Sequence, residues 1–155
     1  MNISYSGEFA PAPAVPMRDK VEVLQRELSK LPQYEAPTEH IFHGGTYCRQ
    51  VWRPADCVIV GKVHKKEHFY MVVFGTVRIT DGDGATVEVT GPQLILSKPG
   101  TKRAVYAVTD ALCMTIHRVE SKTIEDVESE LVEDDPNSMF TIGNKVKLSE
   151  IEVKS

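Results

Sequence analysis

The segment Gly61-Lys62-Val63-His64-Lys65-Lys66-Glu67-His68 is followed without a break by Phe69-Tyr70-Met71-Val72-Val73-Phe74 and then Gly75. Side chains alternate faces along a strand, so Lys62 and His64 are expected on one face. After a tight turn His68 opens a second strand, with Tyr70, Val72 and Phe74 on its side. Pairing of these two strands would turn both imidazoles toward one cavity.

Outward from this segment, residues 40–120 read as β structure. The runs TYCRQVWR, CVIVGKVH, FYMVVFG, TVRITD, TVEVT, QLILSK, KRAVYAV and LCMTIHRV are short and rich in β-branched and aromatic residues. Turn residues divide them, among them Gly44-Gly45, Gly91-Pro92 and Pro99-Gly100. Asp81-Gly82-Asp83-Gly84 between two alternating runs is a hairpin signal. Eight such strands with no intervening helix predict an all-β sandwich or barrel rather than a parallel α/β fold.

Both flanks carry helical patterns. Val21, Leu24, Leu28 and Leu31 recur at helical spacing up to Pro32, so residues 17–32 predict an amphipathic helix. Before it, Pro11, Pro13 and Pro16 make 1–16 an expected flexible arm. Residues 123–133 predict a second helix, with Thr123 as cap and a stripe of Ile124, Val127 and Leu131. The remainder, 138–155, alternates weakly and is expected to add a strand or to sit at a subunit contact.

Bulk composition excludes several classes. Of 155 residues, 41% are hydrophobic, enough for a buried core. A net charge of -4 argues against general nucleic-acid binding while allowing a local basic pocket. Cys48, Cys57 and Cys113 are too scattered for a disulfide framework and read as buried free thiols in a reducing compartment. No membrane-spanning run or secretory signal is visible, so a cytoplasmic protein is expected.

Residues 45–120 resemble the cupin superfamily. The segment 61–75 is similar to its first motif, G-x5-H-x-H-x3-4-E-x6-G: His64 falls on the second histidine, His68 on the glutamate and Lys62 on the first histidine. Residues 91–107 are similar to the second motif, G-x5-P-x-G-x2-H-x3-N, with Gly91 one residue early and Pro99 displaced by one. Arg103 stands where the last metal-binding histidine would be, and Ala107 replaces the asparagine. A closer resemblance is to small cupin-like proteins of bacteriophages and prophages. It rests on Gly61 to His68, on Pro99 to Arg103, and on His117 ending the last strand. The resemblance implies a cupin-type antiparallel β-barrel or jelly roll with an N-terminal and a C-terminal helix. A phage origin would place it in host cytoplasm.

The departures from the motif shape the functional expectation. Arginine cannot deprotonate to become a ligand, and lysine beside a divalent cation repels it. The ligand-binding set is therefore Lys62, His64, His68, Tyr70, Arg103 and His117, and the expected ligand is a small anionic metabolite or nucleotide-type signal. Lys65, Lys66, Lys98 and Lys102 are placed at the rim, or else are solvated loop lysines. Tyr47, Arg49, Trp52 and Tyr106 are candidate cup-lining residues, whereas His40 and His43 are read as surface residues. On this reading no cofactor is needed, and a phage-encoded sponge that blunts a nucleotide-signalled host defence is one role.

Three alternatives stand beside it. His64, His68 and His117 can hold Zn, Ni or Fe with open positions, which would make a metal-dependent oxygenase or isomerase. His64 is also the candidate base of a metal-free sugar-nucleotide isomerase or epimerase, and Glu67 is a candidate acid or base partner to an imidazole. The third is a phage structural or assembly protein with a vestigial cup. A homo-oligomer is expected under each.

Overall fold

The computed structural model describes residues 17–80 and 85–147. Helix α1 (Met17–Leu28) precedes nine strands: β1 (Thr38–His43), β2 (Thr46–Arg53), β3 (Val58–Val60), β4 (His68–Phe74), β5 (Thr76–Thr80), β6 (Thr86–Thr90), β7 (Gln93–Ser97), β8 (Ala104–Ala107) and β9 (Ala111–Arg118). Helix α2 (Ile124–Leu131) and a short 3-10 turn (Ile142–Asn144) follow. Strands β1-β2-β9-β4-β7 form one sheet and β3-β8-β5-β6 the other. Every strand pairing is antiparallel, and the chain crosses between sheets repeatedly, which makes a cupin-type jelly roll.

Local chemistry explains the corners. Gly44 and Gly45 both take positive φ, 57° and 75°, in the two-residue turn between β1 and β2. Two left-handed residues match the twist of a hairpin, and glycine adopts them without a Cβ clash. Gly75, with φ 84°, turns the chain from β4 into β5 and hence from one sheet to the other. Strands β5 and β6 pair from Thr76↔Thr90 to Thr80↔Thr86, as a hairpin requires. Its turn, 81–84, lies outside the described residues, as do the arm 1–16 and residues 148–155.

The apolar residues sort into three clusters. Val72, Val77, Ile79, Val105 and Cys113 fill the barrel between the sheets. Val21 of α1 packs with Val51, Ile59, Val60, Met139 and Phe140 at one flank. Val127 and Leu131 of α2 pack with Tyr47, Val119 and Val132 at another. Each buried aliphatic side chain contributes roughly 1.5–3 kcal/mol by leaving water. Among the described residues, no helix is long and apolar enough to cross a membrane.

Four sequence expectations need correction. Helix α1 stops at Leu28, because Lys30 and Leu31 close i→i−3 turns and the Gln33 amide donates to the carbonyls of Leu28 and Leu31. Strand β3 stops at Val60, and residues 61–67 leave the sheet as a loop. Strand β1 was not resolved as a separate strand, since its alternation of Thr, Glu and His with Ile and Phe is weak. Over its described part the tail adds no strand. Met139 and Phe140 enter the chain's own core, and Phe140 bridges Val146.

Candidate functional site

Register arranges the inward side chains of the five-stranded sheet in rows. At the mouth, Tyr47 pairs with His117 across β2 and β9, and His68 pairs with Ser97 across β4 and β7. One row deeper, Arg49, Thr115, Tyr70 and Ile95 lie side by side on β2, β9, β4 and β7. Val51, Cys113 and Val72 form the next row, and Arg53 begins the last. Of these, His68, Arg49, Thr115, Tyr70 and Arg53 line a cavity of about 80 Å³, whereas His117 and Tyr47 lie beside it.

His64 reaches this cavity from the loop 61–67 rather than from a strand. That loop is stitched on both sides. Gly100 N–H donates to the His64 carbonyl at 2.8 Å, and Lys65 N–H donates to the Leu131 carbonyl at 2.7 Å. His64 also forms a β-bridge with Val132, just past α2. Helix α2 thus lies against the mouth. Its start is fixed by Thr123, whose hydroxyl accepts the Asp126 N–H.

Three imidazoles meet there. Ring centroids lie 4.3 Å apart for His64–His68, 4.5 Å for His68–His117 and 5.4 Å for His64–His117. The stack continues through Tyr47 to His40, whose Nδ1 is 2.6 Å from the Tyr47 hydroxyl. His40 is therefore a half-buried member of this stack and not a surface residue, whereas His43 is exposed. His117 lines a smaller void under α2 together with Tyr47, His64 and Glu128.

Burial is the main force on these rings. It pushes His64 well below its ordinary value, with Arg49 and the neighbouring imidazoles adding to the effect. Burial and then His68 hold His117 down at about 3. Burial also lowers His68, against an opposing hydrogen bond to Lys66. All three are neutral near pH 7 and keep a lone pair available. His68 Nδ1–H donates to the Lys66 carbonyl at 3.1 Å, which leaves Nε2 as its lone-pair nitrogen. His117 Nε2 is buried and has no hydrogen-bond partner.

The cations are distributed differently from the sequence expectation. Arg103 enters the cavity, donates from Nη1 to the Ser97 hydroxyl, and lies 5.5 Å over the Tyr70 ring. Lys62 and Arg49 also line it. Lys102 does not: its side chain is 3% exposed and pairs with Asp135 at 2.9 Å. Lys66 pairs with Glu130, Lys65 donates to the Ser129 carbonyl, and Lys98 is exposed outside the cavity lining. Glu67 is exposed and absent from the lining, so it is not placed to act on an imidazole. Trp52 points outward, stacking edge-on with Phe74, and Tyr106 donates to Asp56 at the surface. Replacing Lys102 with Met should cost about 2–3 kcal/mol, because it strands Asp135 without its cation. Urea denaturation would read this, and the additional change Asp135→Asn should recover most of it.

Two site residues escaped the sequence reading. Glu128 of α2 is 8% exposed, and its carboxylate lies 3.8 Å from Arg49 and 4.0 Å from Lys62. Its signal was present, since position 128 shares the helical face of Ile124, Val127 and Leu131. Arg53 lines the cavity as well, and strand alternation from Tyr47 would have found it. Cys113 is a buried free thiol, and Cys48 and Cys57 are free and half-buried.

Among solved structures, the similar ones include cupins at low identity. No family model and no curated protein matches the chain. A cupin superfamily protein from Desulfitobacterium hafniense is 9% identical, with a TM-score of 0.45, covering 60% of this chain and 88% of its own. KdgF from Halomonas sp. is 13% identical, with a TM-score of 0.48, covering 54% and 80%. The Schizosaccharomyces pombe Cnp3 cupin domain is 14% identical, with a TM-score of 0.48, covering 67% and 77%.

Proposed function

Starting from a cupin-type jelly roll, we propose that the chain is a non-enzymatic binding protein that holds a small anionic ligand in its cup. The observation that carries this reading is the charge of the cavity wall. Arg49, Arg53, Lys62 and Arg103 line it, against one carboxylate among the described residues, Glu128, while the imidazoles are neutral. Guanidinium groups in a partly dry cavity are suited to carboxylates and phosphates. The enclosed space suits a ligand of roughly six to ten heavy atoms, which favours a small metabolite over a whole nucleotide. The resemblance to phage proteins gives this reading a setting, in which the chain removes a host metabolite or signal by sequestering it.

Arg103→Ala is expected to weaken binding of any anionic hit by roughly 10- to 150-fold, the loss of a charge-assisted hydrogen bond. Calorimetry against small carboxylates, phosphate, sugar phosphates and nucleotides supplies the hit. Failure of every anion to bind ends this reading.

A second reading is favoured by the imidazole cluster. The ligand nitrogens of His64, His68 and His117 all lie within 4.8 Å of one another. Neutral rings, a carbonyl fixing the His68 tautomer and the unpartnered His117 nitrogen fit a divalent Zn, Ni or Fe ion. Such an ion would supply Lewis-acid chemistry, and Arg49 and Arg103 would then orient an anionic substrate. Elemental analysis of purified protein tests it: a stoichiometric metal that His68→Ala loses supports it, and metal-free protein counts against it.

A further inference from the structure

We infer that the inner end of the cavity is a separate oxyanion subsite built from Arg53, Tyr70 and Thr115, which accepts a carboxylate or phosphoryl group. This rests on the reading of the cup as an anion binder and places the charged end of its ligand. Arg53 is 8% exposed, and its Nε and Nη1 are buried with no hydrogen-bond partner. The hydroxyls of Tyr70 and Thr115 are likewise buried and unpartnered. Tyr70 and Thr115 are cross-strand neighbours, Arg53 lies within electrostatic reach of Tyr70, and all three line the cavity. The surrounding wall is Val51, Ile59, Val60, Val105 and Cys113, whose thiol lies beside Arg53 and Tyr70, and among the described residues the only acidic one in the lining, Glu128, lies against Arg49 and Lys62.

A guanidinium stays charged in such surroundings, because it cannot shed its proton. A buried charge is retained at low cost only when an opposite charge and hydrogen bonds meet it. Water supplies the hydrogen bonds but not the charge. Two N–H donors and two hydroxyls around one space are complementary to a compact anion with several oxygens. The imidazoles and Arg103 are then left for the other end of the same ligand.

The test is nuclear magnetic resonance on the full chain, with arginine Nε–H signals assigned through bonds from the backbone. Sodium acetate and inorganic phosphate are titrated separately at constant ionic strength, with chloride as control. A saturable shift of the Arg53 signal with acetate assigns a carboxylate site, and one with phosphate a phosphoryl site. Movement of the imidazole signals with Arg53 unmoved overturns this inference and leaves the cup reading standing. No saturable movement at either place overturns both.

Discussion

Lowering the pH of the metal-free protein from 7.5 to 5 is expected to remove about 2 kcal/mol of stability through His117 alone, with His64 and His68 adding to the loss. His64, His68 and His117 all have folded values below the ordinary 6.5, and for His117 the value is about 3. The unfolded chain therefore binds more protons than the folded one between 6.5 and those lower values. Stability is complete above 6.5 and falls as pH drops, by roughly 1.4 kcal/mol per pH unit for each ring. Burial lowers His40 as well and adds to the slope. Glu130 enters only later: against burial, which raises it, hydrogen bonds from Ser121, Lys66 and nearby backbone hold its carboxyl near 2. Urea denaturation at pH 7.5, 6.5, 5.75 and 5 reads the effect. A stability that stays flat from 6.5 to 5 would mean the rings are not buried as neutral groups.

Gly75→Ala is the second large effect, with an expected loss of about 3 kcal/mol or more. Its φ of 84° costs any other residue roughly 1–2 kcal/mol. A Cβ at this position would also stand 2.7 Å from the Ala111 Cα and 2.8 Å from its Cβ. Backbone cannot step aside as the tip of a flexible side chain does, so β4, β5 and β9 must separate at the corner. Thermal or urea denaturation measures the loss, and a cost under 1 kcal/mol would contradict this close approach. Gly100 is the contrasting control. It has the same φ of 84° but open space around it, so Gly100→Ala should show the conformational cost alone.

Much of the site was legible because its parts obey short periods. The alternation of His68 with Tyr70, and of Cys113 with His117 through Thr115, put those residues on inward faces before any coordinates. The same rule that puts Arg49 in the cup would have supplied Arg53 as well, yet arginine on a strand reads by default as surface. Glu128 was overlooked for a similar reason, since a lone carboxylate on an apolar helical stripe reads as a boundary residue. The rim lysines were misplaced because lysine in a loop is usually solvated. Pairing of Lys102 with Asp135 depends on residues 33 positions apart meeting across the mouth.

By itself the sequence determined the β texture, its turns, the two flanking helices and the faces on which His68 and His117 lie. These follow from backbone preferences and periods that reach only a few residues along the chain. Tertiary structure alone decided that α2 closes over the mouth, that Glu130 of α2 takes up Lys66, that Asp135 takes up Lys102, and that Arg53 is enclosed with two guanidinium nitrogens unpaired. Those outcomes depend on which distant segments share the space between two sheets, and a local pattern does not encode that distance.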